Sequence, residues 1–315
     1  MIDLTAGLGI DAMTIAANGN VVIAVEQDKN KANILLHNAN VLELSDFKVV
    51  NDDCINFLES LRSYPDYFFI DPARRDSANK RTYALSECTP DVTSIYRKLI
   101  EKGSTLYIKA SPLLDVTAIL HQLESVSEIF IISVKNECKE VLIKMEQGKV
   151  WPPRLTAIDL DDEGIKSSFS FEEDNSNEKK KVSPTIASIE EIRKDTFLYE
   201  PNAALMKLNA GKQICKHYEC LKKASANTEL FLSNDFIEKF PGRVIKIERF
   251  LTSKDLKGVK GKGYSVATRN YPMKAEDLKK KLGVKENPEN FIYAFRVGVA
   301  GKPVIIEGKR MEAKG

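Results

Sequence analysis

The chain has 315 residues, of which 43% are hydrophobic, and its formal net charge is +2. This length and apolar content allow two or more hydrophobic cores, so we expect more than one domain. No apolar run approaches the roughly 20 residues of a membrane-spanning helix, and no signal-peptide pattern is visible. The five cysteines are scattered and odd in number, which favours a reducing, cytoplasmic location over a disulfide framework.

The amino-terminal segment predicts a short strand, a glycine-containing turn and a helix. Asp3 ends the strand, Gly7 and Gly9 are separated by one residue, and Ala12–Ala17 has a helical pattern. In nucleotide-binding α/β domains, small residues at this turn let the backbone approach a ligand closely. A first strand needs about five residues. Because two precede Asp3, we expect a fragment that lacks an upstream segment and any lid it carries; a naturally minimal protein is the alternative.

The second predicted strand, Val21–Val25, ends at Glu26 and is followed by a helical pattern over Lys29–Leu44. An acid at this position can accept hydrogen bonds from both hydroxyl groups of a ribose. Nicotinamide-dependent enzymes share this layout, but their fingerprint has a third glycine that this loop does not match. The pattern therefore favours a ribose-containing cofactor of another class.

Two further predicted strands also end in polar residues. Phe47–Val50 leads into Asn51–Cys54, which contains Asp53, and Tyr67–Ile70 runs into Asp71–Arg75. Together with the first two strands, these segments place polar residues after four successive strands. Ligands of open α/β sheets bind at the carboxyl edge of the strands. The sequence therefore predicts a ligand site at this edge.

The remaining elements of the amino-terminal half predict a parallel sheet that is covered on both faces. Helical patterns over Pro90–Glu101 and Asp115–Glu124 flank a strand over Ser104–Lys109, and a closing antiparallel pair follows at Ser127–Val134 and Val141–Met145. Strands that alternate with helices are typical of an α/β, Rossmann-like domain.

The carboxy-terminal half predicts a smaller α+β region after a polar segment. Asp161–Lys181 is poor in apolar residues and predicts a linker or an exposed hairpin loop. The glycine- and lysine-rich stretch Lys257–Gly263 should be mobile. The predicted helices are Ile186–Lys194, Ala203–Lys223 and Lys274–Leu282. The predicted strands are Glu229–Leu232, Arg243–Phe250, Tyr264–Thr268, Phe291–Val297 and Pro303–Glu307.

Positive charge is concentrated near the carboxyl terminus. Between Lys239 and Lys285 there are 14 basic and four acidic residues. Such a region is typical of nucleic-acid binding, because phosphate neutralisation supplies most of the sequence-independent affinity. A solvated, lysine-rich surface is the alternative. The residues that we predict to contact nucleic acid are Lys257, Lys260, Lys262 and Arg269.

Four short strings give the chain a resemblance to a known family. They are Asp71–Arg75, Tyr107–Pro112, Glu137–Glu140 and Tyr199–Ala203. Together they resemble the bacterial class I S-adenosylmethionine-dependent methyltransferases that carry an Asp-Pro-Ala-Arg-Arg motif and a THUMP-like carboxy-terminal region. The resemblance covers most of the chain. It implies S-adenosylmethionine as cofactor and, through the THUMP-like region, RNA as partner.

The resemblance implies an α/β fold: a Rossmann-like class I methyltransferase sheet followed by a smaller α+β, THUMP-like and ferredoxin-like region. We predict a methyltransferase domain over residues 1–157, truncated at its amino terminus, and a linker or exposed loop over residues 158–184. A small ferredoxin-like domain over residues 185–252 and a THUMP-like domain over residues 253–315 follow.

The resemblance implies the following roles for residues at this edge of the sheet. The glycine loop leaves room for the methionine part of the cofactor, Asp3 and Asp11 receive its ammonium group, Glu26 binds the ribose and Asp53 the adenine edge. The predicted cofactor-binding residues are Asp3, Thr5, Gly7, Gly9, Asp11, Glu26, Gln27, Asp53 and Asp71. Helix capping is the alternative for Asp11, and Asp52 beside Asp53 is an alternative cap of the following helix.

Asp71, Pro72 and Arg74 are the predicted catalytic residues. Asp71 and the Pro72 carbonyl lie where an acceptor amine could be oriented and deprotonated. Arg74 stands where adenine and cytosine amino-methyltransferases usually have an aromatic residue that stacks on the flipped base. Its guanidinium can stack on a base or bind phosphate, and a loop-stiffening salt bridge, with Arg75, is the alternative.

Covalent catalysis and metal binding are not expected. Enzymes that methylate carbon-5 of pyrimidines add a cysteine thiolate to the ring, and in the uracil-5 enzymes that cysteine stands where this chain has Ala110. Cys138 follows the sixth strand and is interpreted as structural. Cys215, His217 and Cys220 lack a fourth ligand for zinc.

The leading hypothesis is a methyltransferase that acts on RNA at a nitrogen. A non-catalytic nucleic-acid-binding protein with a vestigial cofactor site is one alternative. A methyltransferase with a small-molecule or protein substrate is the other, although such enzymes rarely need the basic surface.

Overall fold

The computed structural model describes residues 1–74, 84–103, 105–148, 152–173 and 184–311. Arg75, the Arg74 side chain and the Lys179–Lys181 part of the predicted linker lie outside the described residues. The chain divides into two compact units, Met1–Asn175 and Ser176–Gly315. Within the described ranges, no helix has the length and apolar character required to cross a membrane.

The first unit alternates strands and helices, as its sequence pattern predicts. Its elements in chain order are β1 (Ile2–Asp3), α1 (Ile10–Ala17), β2 (Val22–Val25), α2 (Lys29–Val41), β3 (Phe47–Val50), α3 (Cys54–Ser60), β4 (Tyr67–Ile70), β5 (Ala73–Arg74), β6 (Cys88–Thr89), α4 (Val92–Lys102), β7 (Thr105–Ala110), α5 (Val116–Gln122), β8 (Val126–Val134), β9 (Glu137–Glu146), β10 (Arg154–Asp161) and β11 (Gly164–Glu172).

One sheet organises this unit. Among the described residues its strand order is β11-β10-β8-β9-β7-β4-β1-β2-β3. The strands β3, β2, β1, β4 and β7 run parallel, and β9 is inserted antiparallel between β7 and β8. This confirms the predicted α/β, Rossmann-like sheet and the antiparallel pairing of β8 with β9. The order reverses between β1 and β4, and ligands of open α/β sheets bind outside such a switch point.

Apolar strand residues explain why these segments form the centre of the sheet. A parallel sheet covered on both faces requires nearly continuous apolar strands. The fully buried residues of β4 and β7 are Phe68, Ile70, Leu106 and Ile108. They hold the carboxyl ends of these strands, and the polar residues that follow them, in fixed positions.

The linker or exposed loop that we predict over residues 158–184 is wrong in its first part. Residues up to Glu172 form β10, which runs parallel to β8, and β11, which pairs antiparallel with β10. The apolar residues of β10 and β11 that are buried include Leu155, Ala157 and Phe169. The composition is polar because β11 is an edge strand whose alternate residues, such as Lys166 and Ser168, face solvent.

The second unit is an α+β structure around another sheet. Its elements in chain order are β12 (Phe197–Pro201), α6 (Ala203–Lys207), α7 (Gly211–His217), β13 (Lys222–Ser225), β14 (Thr228–Ser233), β15 (Gly242–Phe250), α8 (Asp255–Gly258), β16 (Ser265–Arg269), α9 (Ala275–Leu282), β17 (Asn290–Val297) and β18 (Lys302–Met311). The strand order is β13-β14-β12-β15-β18-β17-β16. The two predicted small domains therefore contribute strands to one sheet, through the pairing of β15 with β18.

Two predicted helices of this unit differ from the structure. Within Ile186–Lys194, Ile189–Glu191 forms a single 3-10 turn, because the backbone of Thr185 and Ala187 instead bonds to Lys223. The predicted helix Ala203–Lys223 is divided into α6 and α7 and ends in β13. Asn209 has a positive φ of 50° between the two helices, a conformation that asparagine tolerates better than most residues.

The stretch Lys257–Gly263 is anchored, contrary to the predicted mobility. Within this stretch, the Val259 side chain is fully buried. The Gly261 amide donates to the Gly283 carbonyl, and the Lys285 amide donates to the Lys262 carbonyl. The sequence indicated mobility from its glycines, but a buried valine and these backbone bonds outweigh that tendency.

Candidate functional site

The carboxyl ends of β1 and β4 are joined by Thr5. Its amide donates to Asp3 Oδ1 over 3.0 Å, and its hydroxyl oxygen accepts from the Asp71 amide over 2.7 Å. The loop after β1 and the loop after β4 are therefore locked together on either side of the switch point. Sequence analysis included Thr5 among the cofactor residues, and the structure shows that it ties these two loops together.

Asp3 is a buried carboxyl group at the end of β1. Asp3 is 2% exposed to solvent. Burial raises the pKa of Asp3 to about 7, and the carboxylates of Asp11 and Asp71 act in the same direction. A buried carboxylate with this environment favours a cationic partner, because a nearby positive charge stabilises its ionised form.

Lys109 stands at the centre of the charged residues, and sequence analysis assigned it no role. Its Nζ lies 2.8 Å from Asp11 Oδ2 and 3.3 Å from Asp71 Oδ2. Burial alone would lower the pKa of Lys109, but the hydrogen bond that it donates to Asp11 and the charges of Asp71, Asp11 and Glu140 raise its pKa overall. Lys109 is therefore a permanent cation that joins α1, β4 and β7. The only sequence feature that could have indicated a role for Lys109 is its position, as a charged residue near the end of an otherwise apolar strand.

The predicted capping alternative for Asp11 is wrong. Helix α1 begins at Ile10 with Gly9 as its N-cap, so Asp11 lies inside the first turn. Its carboxylate instead pairs with Lys109. Lys109 also lies 3.3 Å from Asp71, so a cation of the protein already contacts the carboxylate that we predict to receive the cofactor's ammonium group.

Glu26 closes the glycine loop from the side of β2. Its Oε2 accepts from the Gly7 amide over 2.9 Å, and its Oε1 accepts from the Asp28 amide over 2.8 Å. Each carboxylate oxygen retains a second lone pair for a ligand hydroxyl. Gln27, the next predicted cofactor residue, is exposed, and its carbonyl accepts from the Asn51 amide group.

The two glycines of the loop serve different purposes. Gly7 has a φ of +56°, and the space where a Cβ would lie is open, with the Thr5 carbonyl oxygen 4.0 Å away. Gly9 also has a positive φ, but a Cβ there would overlap the Leu35 side chain of α2. Gly7 therefore borders open space, whereas glycine at position 9 is required by its positive φ of 84° and is packed against α2.

Asp53 caps α3, and Asp52 does not. Asp53 Oδ1 accepts from the amides of Ile55 and Asn56 over 2.9 and 3.3 Å. Asp52 instead accepts from the Asp53 amide. The capping alternative was therefore assigned to the wrong residue of the pair, and both capping bonds of Asp53 use the same oxygen.

A cavity of about 250 Å³ lies beside Asp71 in the first unit. Its apolar lining includes Pro72, Leu85, Ala110, Pro112 and Leu114, and its polar lining includes Asp71, Lys109, Ser111, Lys139 and Glu140. Pro72 is thus placed at the cavity with Asp71, as predicted for an acceptor site. Glu140 belonged to one of the resembling strings but received no role from sequence analysis.

The four residues predicted to contact nucleic acid do not behave alike. Lys257, Lys260 and Lys262 are exposed on the anchored stretch after β15. Arg269 is not a free surface cation, because its guanidinium pairs with the buried Glu200. Within the described ranges, no group of three or more His, Cys, Asp or Glu residues could hold a metal ion.

Comparisons with known proteins follow the division of the chain. Residues 197–241 match a ferredoxin-like domain family, and residues 242–310 match a THUMP domain-like family. Among solved structures, the chain is similar to a candidate methyltransferase from Porphyromonas gingivalis W83, with 27% identity over 99% of this chain and 77% of that chain and a TM-score of 0.84. These matches confirm the predicted fold with its ferredoxin-like and THUMP-like region. None of the curated proteins matches the sequence.

Two shorter structural matches concern 46% of this chain. One is an rRNA methylase from Streptococcus thermophilus, with 15% identity over 85% of that chain and a TM-score of 0.34. The other is a candidate methyltransferase from Streptococcus mutans in complex with SAH, with 14% identity over 86% of that chain and a TM-score of 0.34.

Proposed function

We propose that the chain is an S-adenosylmethionine-dependent methyltransferase that acts on RNA at a nitrogen, without a covalent cysteine intermediate. The observation that carries this proposal is the set of buried acids, Asp3 and Glu26, around the open space at Gly7, at the switch point of a class I sheet. The likeness to a candidate methyltransferase over 99% of the chain supports it.

The residues present fit this cofactor. A sulfonium-linked amino acid offers an ammonium group for the buried Asp3, and Asp11 lies beside it with Lys109 as its present partner. Ribose hydroxyls can donate to the remaining lone pairs of Glu26, and the adenine amino group to the Asp53 oxygen that does not cap α3. When bound, the cofactor supplies an electrophilic methyl group. The acceptor would lie in the cavity beside Asp71 and Pro72, where these residues orient its N–H groups.

Arg74 lies two residues after Pro72 in the sequence. Its role in stacking on a base or binding phosphate stays a prediction. Ala110 lines the cavity, in the position of the nucleophilic cysteine of uracil-5 enzymes. The chain therefore offers no thiol at that position, which supports transfer to a nitrogen, although the thiol of the buried Cys88 lines another part of the cavity.

Deletion of the gene tests the proposed function directly. Mass spectrometry of RNA nucleosides from the deletion strain and its parent should show one methylated nucleoside that is lost and restored by the plasmid-borne gene. Identical nucleoside profiles would favour a small-molecule or protein substrate, or a non-catalytic role.

Replacement of Glu26 by alanine should weaken the binding of S-adenosylhomocysteine by about 1–3 kcal/mol, the range for hydrogen bonds to a charged group. Isothermal titration measures this change. Because Glu26 also accepts from the Gly7 amide, the variant Glu26→Gln, which keeps one acceptor oxygen, should lose less. The exposed Glu43→Ala is the matched control. Equal affinity of Glu26→Ala and the unmodified protein would contradict the ribose assignment.

The exposed lysines of the second unit should bind the RNA backbone. We expect RNA affinity to fall steeply with salt, with a slope of about −0.7 per neutralised phosphate for single strands. Replacement of Lys257, Lys260 and Lys262 by glutamate should flatten this slope for all sequences alike, because flexible ammonium groups act as point charges. Cofactor affinity should not change.

Filter binding at several salt concentrations measures the slope. The control replaces an equal number of exposed lysines of the first unit, Lys31, Lys48 and Lys166, by glutamate. An identical loss of affinity in both triple variants would attribute the effect to net charge. RNA binding that does not depend on salt would contradict a backbone-contacting surface.

A further inference from the structure

The strand β9 places a carboxylate at the cavity that holds Asp71. Glu140 lies near the start of β9, where it pairs with Ile132 of β8, and the next residue pairs with Ala110 of β7. The antiparallel insertion of β9 thus brings Glu140 to the same edge of the sheet as Asp71 and Lys109. All three residues line the cavity of about 250 Å³.

The three carboxylates near this cavity differ in their pairing. Lys109 Nζ is within 3.3 Å of both Asp11 and Asp71, so its charge is shared by those two groups. Among the described residues, no lysine, arginine or histidine nitrogen lies within 4.0 Å of the Glu140 carboxylate oxygens. A carboxylate that is paired with an ammonium group is a weaker base than an unpaired one. Of the acids at the cavity, Glu140 is therefore better placed than Asp71 to take up a proton.

The charged groups that face Glu140 come from several elements. Lys109 of β7, Asp71 after β4 and Asp11 of α1 act on it, and Lys139 of its own strand lines the same cavity. Burial raises the pKa of Glu140, Lys109 lowers it, and Asp71 and Asp11 raise it further, with a net upward shift. A general base is most effective when its pKa approaches the working pH, so this environment improves Glu140 as a base.

Resting on the proposed methyltransferase function, we infer that Glu140 is the catalytic residue that removes the proton from the acceptor nitrogen. In the transfer, the lone pair of the acceptor nitrogen forms the new N–C bond with the methyl group of the sulfonium donor. The C–S bond breaks, and its electron pair stays on sulfur, which becomes a neutral thioether. The N–H proton passes to the Glu140 carboxylate. Asp71 and the Pro72 carbonyl orient the acceptor, and Lys109 holds Asp71 in place.

The variant Glu140→Gln tests this role, because it keeps the size and polarity of the side chain but cannot accept the proton. The substrate is total RNA from the deletion strain, with methyl-labelled S-adenosylmethionine as donor. We expect kcat to fall by about 10²- to 10⁴-fold, the usual contribution of a general base. The apparent KM for RNA and the affinity for S-adenosylhomocysteine should stay nearly unchanged. Glu140→Asp should retain part of the rate.

The matched control is Glu146→Gln, the same substitution at the far end of the same strand. It should leave kcat unchanged, and both variants should melt within the same temperature range as the unmodified protein.

The pH dependence of kcat gives a second test. In the unmodified protein, kcat should rise with pH as Glu140 ionises, and this rise should be absent in Glu140→Gln. An NMR titration of ¹³C-labelled carboxyl groups, assigned by the loss of one signal in Glu140→Gln, should give a midpoint above the ordinary glutamate value.

The outcomes separate the two proposals. A kcat of Glu140→Gln equal to that of the unmodified protein, or an ordinary titration midpoint, would overturn the role of Glu140 while methyl transfer itself stands. Loss of kcat together with loss of S-adenosylhomocysteine binding would assign Glu140 to the cofactor site instead and also overturn it. No transfer to RNA by the unmodified protein would overturn the proposed function and the role of Glu140 with it.

Discussion

Replacement of Asp3 by asparagine should stabilise the first unit at alkaline pH and weaken cofactor binding. Burial raises the pKa of Asp3 from its ordinary value of 3.8 to about 7. The folded state therefore favours the protonated form, and ionisation of Asp3 costs stability as the pH rises from the unfolded towards the folded pKa. A shift of about 3 units corresponds to about 4 kcal/mol at 1.36 kcal/mol per unit.

The sign of this effect can be tested by its pH dependence. The stabilisation by Asp3→Asn should be about 2 kcal/mol at pH 5 and about 4 kcal/mol at pH 8. At pH 5 the folded protein keeps Asp3 protonated, and only part of the free-energy cost of its raised pKa has accumulated. Urea unfolding of the first unit at both pH values measures it. The exposed Asp46→Asn is the control. A gain that is equal at both pH values would contradict the raised pKa as its cause.

Binding should change in the opposite direction to stability. An ionised Asp3 receives the ammonium group of the cofactor in the proposed site, so the neutral amide should weaken S-adenosylhomocysteine binding at pH 8 by about 1–3 kcal/mol. Isothermal titration of the same protein preparations measures it. A variant that is more stable and binds equally well would show that the ammonium group lies elsewhere.

The positions of Asp3, Glu26 and Asp71 could be predicted from the sequence because Asp3 ends a buried apolar strand and each of the other two directly follows one. Consecutive parallel strands bring their carboxyl ends to one edge, so the residue after each strand is located without knowledge of any contact. The structure places these three acids at that edge. Their assignment to parts of the cofactor rests on the proposed function.

Lys109 and Glu140 could not be found in the same way. The insertion of β9 between β7 and β8 decides which residues face Asp71, and the sequence predicted only that β8 and β9 pair with each other. Lys109 is one of 47 basic residues in the chain, and its separation from Asp11 in sequence is 98 residues. Nothing local distinguishes it from a solvated lysine.

The prediction of a linker or loop after residue 158 was wrong for a related reason. Composition alone made the segment polar, but an edge strand needs apolar residues on one face only. Asp159 shows how the structure uses such polarity, since its carboxylate accepts from the Ser133 hydroxyl over 2.6 Å and from the Asn136 amide over 3.0 Å. These bonds fix the β8–β9 hairpin against β10.

Arg269 was predicted to contact nucleic acid, but the structure gives it a buried partner instead. Glu200, which is 6% exposed, joins three groups from different strands of the second unit. The Tyr293 hydroxyl donates to its Oε2 over 2.7 Å, and Arg243 lies 3.4 Å from the same oxygen. Arg269 pairs with Oε1 at 2.5 Å. The charge of the buried Glu200 thus neutralises the partly exposed guanidinium groups of β15 and β16.

Replacement of Glu200 by alanine should therefore destabilise the second unit by about 1–3 kcal/mol, the range for leaving hydrogen-bonding groups without their partner, because the side chains of Arg243 and Arg269 are 33% and 42% exposed and water can solvate part of their charge. The variant leaves two guanidinium groups and a buried phenol without their common acceptor. Burial and the nearby Glu200 raise the pKa of Tyr293, so the phenol stays protonated and the same loss is expected at pH 9. Urea unfolding followed by the fluorescence of tyrosines in the second unit measures the change.

Two further variants separate the buried network from ordinary ion pairing. Tyr293→Phe removes a hydroxyl group that donates to Glu200 and accepts from Arg243, and it should cost about 0.5–1.5 kcal/mol, since Glu200 keeps both guanidinium partners. Glu248→Ala removes a more exposed acid whose partner, Lys309, lies 3.3 Å away, and such surface pairs contribute about 0–1 kcal/mol. If Glu200→Ala unfolds as easily as Glu248→Ala, the guanidinium groups must find water or other acceptors when Glu200 is absent. Arg269 would then be available for the phosphate contacts that its pairing with Glu200 now opposes.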